Sequence, residues 1–142
     1  MRTRFEWSLH AFVRVIVLMG PLVGVVSCSR PSGPSRHDLR GSVTWHGQPV
    51  PTGSIVFAPD PARGNGGPGA TAEIVAGKYF TRSGQGTVGG PHVATITGCD
   101  GNPIARGPVM DPTGAPLFSP QRVEIDLPHA AATHDFTLPA DR

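Results

Sequence analysis

Three groups of side chains in this 142-residue chain have chemistry beyond packing: the thiols of Cys28 and Cys99, the histidines, and a glycine-rich run at residues 64–69 (GNGGPG). A cysteine acts as a nucleophile when a neighbouring base or cation favours its thiolate. Cys99 is followed by Asp100 and Gly101, which is ordinary turn chemistry, and is expected to be a free thiol packed at a strand end. No G-x-S-x-G elbow and no pair of carboxylates in a plausible cleft is visible. Past the amino-terminal leader the histidines are His37, His46, His92, His129 and His134, and none shows H-x-x-x-H or H-x-H spacing. A metal site would have to be assembled in three dimensions from His46, His92 and His134; the other reading is strand or loop histidines facing solvent. The glycine-rich run has no Lys-Ser/Thr sequel and opens no helix, so it is no phosphate loop. The expectation is a protein without catalytic residues, cofactor or metal.

Cys28 is different because of what precedes it. Arg2, Arg4 and Arg14 stand against one acid, Glu6, and residues 15–26 (VIVLMGPLVGVV) then run without a charge. A basic start, a short apolar run and small residues at the exit make up a secretory signal peptide. Twelve residues as a helix would span about 18 Å, short of the ~30 Å hydrocarbon core, and Gly20-Pro21 interrupts them. A permanent membrane span is therefore disfavoured. The exit Val25-Val26-Ser27-Cys28 resembles the lipobox of bacterial lipoproteins, with Val25 in place of the commoner leucine. That resemblance implies cleavage between Ser27 and Cys28, lipidation of Cys28 with diacylglyceryl and fatty acyl (palmitate-type) chains, and membrane attachment through the lipid. Ordinary cleavage after Ser27 or Ser29 is the alternative.

Loss of residues 1–27 removes three arginines and one glutamate, so twelve basic and ten acidic residues become nine and nine. The net charge of +2 belongs wholly to the leader, and no basic run survives to bind nucleic acid. With Cys28 lipidated, Cys99 has no intramolecular partner; a Cys28–Cys99 disulfide is the rival reading.

The elements that must position these groups are short strands. Gly and Pro number 19 and 16, Lys occurs once and Glu three times, which excludes a helical bundle. Residues 28–38 read as a flexible linker, rich in Ser, Pro, Gly and Arg. Beyond it, alternation predicts seven strands at 39–46, 54–58, 70–75, 78–83, 92–98, 122–127 and 133–138. Ala76-Gly77 sits in hairpin position, and residues 99–121 are the longest irregular stretch. That stretch is the best place for a binding function, although Leu117-Phe118 within it could equally be a core plug. Seven strands in about 100 residues fit an all-β, two-sheet sandwich.

Residues 41–57 (GSVTWHGQPVPTGSIVF) resemble the opening of transthyretin-like, carboxypeptidase-regulatory-like domains, whose pattern is G-x-V-x-x-x-G-x-P-[LV]-x-x-[GA]-x-[IV]-x-[FL]. Ala76-Gly77-Lys78-Tyr79 is similar to their D-G-x-Y hairpin with Ala for Asp. Gly89-Gly90-Pro91-His92-Val93 stands where their P-G-x-Y-x-[IV] segment would, without its tyrosine, and residues 134–138 resemble the closing strand. The resemblance implies a seven-stranded prealbumin-like sandwich over residues 39–142, a place in the cell envelope facing the periplasm or exterior, and no catalytic residues. The partners expected are the membrane, through the anchor, and an envelope protein or glycan.

Overall fold

The computed structural model describes residues 33–139; Ser27, Cys28 and the segment expected to be a signal peptide lie outside the described residues. Within them the fold is all-β. The strands are β1 (Leu39–Trp45), β2 (Gln48–Pro49), β3 (Thr52–Pro59), β4 (Ala70–Val75), β5 (Lys78–Thr81), β6 (Gly90–Cys99), β7 (Ile104–Arg106), β8 (Val109–Asp111), β9 (Gln121–Leu127), β10 (Ala132–Thr133) and β11 (Phe136–Leu138). One 3-10 turn, Pro61–Arg63, opens with the Asp60 carboxylate accepting from the Ala62 N–H.

The main sheet runs β10-β1-β5-β4-β3-β6-β9 and curls, antiparallel except where β10 lies parallel to β1. Strand β1 is used twice. Residues 40–42 pair with β5, while residues 43–45 pair with β11 in parallel and residues 44–45 with β2. Both two-residue turns at this end, His46-Gly47 and Ala76-Gly77, hold both residues at positive φ. That geometry matches the twist of the strands they join.

The seven predicted strands are eleven. His46-Gly47 makes a hairpin, so Gln48–Pro49 forms a short strand where a simple turn was expected. The last predicted strand breaks at His134-Asp135 into β10 and β11. Residues 99–121 carry a separate hairpin, β7 with β8, turned at Gly107-Pro108.

The inner faces follow from alternation. Strand β4 buries every second residue, and β6 buries His92, Ala94, Ile96 and Gly98. Ile55, Phe57, Ile74 and Ile96 are fully buried, and each contributes about 1.5–3 kcal/mol. Trp45 is only partly buried and packs against this cluster.

The break at His134 has a specific cause. The His134 N–H donates to the Arg40 carbonyl, and its own carbonyl lies over Gly41, where any Cβ would collide with it. Asp135 then accepts from both the N–H (2.7 Å) and the hydroxyl (2.6 Å) of Ser42. The chain bends over β1 and resumes as β11.

Part of the segment read as linker is bound to the domain. The Arg36 guanidinium donates to three carbonyls, those of Gly86, Gly69 and Gln85, at 2.7–2.9 Å. His37 exchanges backbone hydrogen bonds with Thr87, and Asp38 accepts from the Gly84 N–H. A guanidinium presents five donors in a fixed fork, and two loop ends here offer it the acceptors.

Candidate functional site

Cys99 ends β6 with its side chain on the outer face, half-buried, and its thiol is free. Its strand position is fixed by Thr52 on β3 and a bridge to Pro116. Among the described residues no histidine or carboxylate hydrogen-bonds the thiol.

The three histidines are not brought together. His46 is an exposed turn residue whose ring meets Trp45 edge-on at 4.3 Å. His134 packs edge-on against Phe136 at 4.7 Å. His92 is fully buried; its Nδ1 lies 2.9 Å from the Gly90 carbonyl and 3.4 Å from Asn65 Nδ2, while Nε2 has no hydrogen-bond partner among the described residues. Among the described residues no group of three His, Cys, Asp or Glu could hold a metal ion. The expectation that these histidines face solvent holds for His46 but not for His92, which sits on an inward position of β6. His37 and His129 form an edge contact of their own at 6.4 Å, and His129 Nδ1 lies 3.0 Å from the Val88 carbonyl.

The long stretch 99–121 is stitched down at its base and exposed at its tip. Asp100 accepts from the N–H groups of Asn102 and Ala115, and Asp111 accepts from the N–H and hydroxyl of Thr113. These donors hold both carboxyls below the ordinary aspartate range. Phe118 is 6% exposed and fits over Gly98, whose missing side chain leaves room for the ring. It is the core plug, with Leu117 half-buried beside it. The hairpin tip presents Val109 and Met110 to solvent and is braced by an Arg106–Asp111 ion pair at 2.9 Å.

A feature the sequence reading did not single out lies on the outer face of the main sheet. Lys78, Phe80 and Arg82 alternate with buried Tyr79 and Thr81, so all three point outward. Phe80 is 74% exposed, unusual for so large an apolar ring. In register beside it stand Arg40 on β1 and Glu73 on β4; Ser54 and Thr97 continue the row, their hydroxyls 2.9 Å apart. A shallow groove of about 760 Å³ runs here, with Arg36, Gln85 and Ser83 also on its walls. Strict alternation through Lys78–Thr81 was the signal that could have placed Phe80 outside.

Comparison with protein-family models, with curated proteins and with solved structures finds no match for this chain.

Proposed function

We propose that this protein is an exported, lipid-anchored module of the cell envelope, with a structural or binding role and no catalysis. The observation that carries the reading is the run Val25-Val26-Ser27-Cys28 behind an uncharged apolar segment, set a few residues before Arg36, where the all-β domain takes hold of the chain. No helix among the described residues is long and apolar enough to cross a membrane, and a lipid on Cys28 would supply the attachment. For the domain itself we propose a two-layer sandwich of the transthyretin-like kind. The double use of β1 supports this: its first half belongs with β5 and its second with β2 and β11, so one strand would pass between layers.

Mass spectrometry of the membrane fraction tests the anchor. The mature amino terminus is expected at an acylated Cys28, and Cys28→Ser should stall processing or release the chain with the β domain intact. A soluble, unacylated wild-type chain overturns the proposal.

The second reading is a binding role for residues 99–121, favoured by the exposure of Val109 and Met110 at the hairpin tip. Under it, Val109→Ser with Met110→Ser should abolish capture of an envelope peptide or glycan without changing the melting temperature. Retained capture removes it.

A further inference from the structure

We propose that the outer face of β5 is a binding site for an acidic polysaccharide, a chain of sugars carrying carboxylate or sulfate groups. Three observations point to this ligand class. First, the site is assembled from side chains alone. Strand β5 lies between β1 and β4, with Lys78 and Phe80 in register with both, so its backbone offers no free edge for a peptide strand to extend. Second, the side chains combine the two properties such a polymer needs. Phe80 offers an exposed ring on which the apolar C–H face of a sugar can lie, with Glu73 in register beside it and the hydrogen-bonded Ser54 and Thr97 hydroxyls further along the row as partners for sugar hydroxyls. Third, the charge is complementary to an anion. Lys78 and Arg82 stand four residues apart on one face, about 13 Å along the strand, one on each side of the ring. Neither lies within ion-pair distance of an acid among the described residues, although Lys78 interacts at longer range with the Asp135 carboxylate, and Glu73 is the one acid on the groove walls. Arg40 adds a further cation beside Phe80.

Besides Phe80 the groove walls carry exposed Val75 and the hydroxyls of Ser54 and Ser83, a mixture suited to the apolar and polar faces of a sugar, and anionic vesicles are set against that ligand in the test. The inference does not rest on the lipid anchor: a chain without acylation would keep this face, and an anchored chain without glycan affinity would overturn the inference while leaving the anchor standing.

The test is affinity electrophoresis or calorimetry of the full-length chain with polygalacturonate. Neutral dextran, polyglutamate and anionic phospholipid vesicles serve as the other ligand classes. Polygalacturonate is expected to bind, with affinity falling as salt rises. Phe80→Ala and the pair Lys78→Gln with Arg82→Gln should each weaken binding roughly tenfold. All three positions are exposed, so melting temperatures should not change; a control at an exposed arginine outside both surfaces, Arg63→Gln, should bind as the wild type does. Failure to bind polygalacturonate, binding unaffected by Phe80→Ala, or preferential binding of polyglutamate or vesicles overturns the proposal.

Discussion

The hydroxyl of Tyr79 donates to the main-chain carbonyl of His134 at 2.6 Å, joining β5 to the bend between β10 and β11 across 55 positions of sequence. That carbonyl is the one seated over Gly41, so one contact region holds the first, middle and last strands of the domain.

Tyr79→Phe should therefore cost about 1–3 kcal/mol, because it leaves the His134 carbonyl without its donor. Gly41→Ala should cost a similar or larger amount, since the new methyl would force the bend off β1. Urea unfolding followed by intrinsic fluorescence measures both. A neutral Gly41→Ala would contradict the close approach.

The same pair makes stability depend on alkaline pH. Burial, with the Asp135 charge adding to it, pushes the Tyr79 phenol well above its ordinary value of 10.0. The folded state keeps the phenolic proton more tightly than the unfolded one, so this stability is complete below pH 10 and declines as pH rises beyond it. Tyr79→Phe should flatten the alkaline limb of the melting curve. At the acid end Asp135 behaves oppositely: the Ser42 hydroxyl and N–H hold its carboxyl below 3.8, so its contribution is present above that pH and lost as the pH falls through the lowered value. Asp135→Asn should remove that part of the acid dependence.

Phe118→Ala should destabilise by about 3–5 kcal/mol through the cavity left over Gly98. Met110→Ala, on the exposed hairpin of the same stretch, should stay within about 0.5 kcal/mol. Thermal melts of the two variants separate plug from tip.

Much of this organisation was legible in the sequence, for a physical reason. Strands that bury one face must alternate, and β4 and β9 do so, appearing where Ala70, Ala72 and Ile74, or Ile125 and Leu127, predicted them. Short-range patterns were blind to the rest. Gln48–Pro49 is too short to alternate and exists because His46-Gly47 turns it back on β1. The division of the last strand depends on Gly41, nearly a hundred positions away. His92 looked like any strand histidine, because its burial is decided by which side of β6 meets the core. Phe80 was hidden by the buried Tyr79 beside it, since adjacent aromatics on a strand point to opposite faces.

Ala76 adopts φ 48 in the β4–β5 turn, where a residue with a Cβ is strained. Ala76→Asn should raise stability by about 0.5–1 kcal/mol, because asparagine tolerates that conformation. Denaturant midpoints check it, and a loss of stability would contradict strain at Ala76.

Arg36 sets the length of a leash. Its guanidinium is held by Gly69, Gln85 and Gly86, and Arg36 stands eight positions after Cys28, a spacing that cannot exceed about 29 Å however the chain runs. Under the proposed anchoring, the Arg36 end of the β5 groove could never stand farther than that from the bilayer. Only a polymer lying close to the membrane would come within reach, so geometry would choose among ligands before chemistry did.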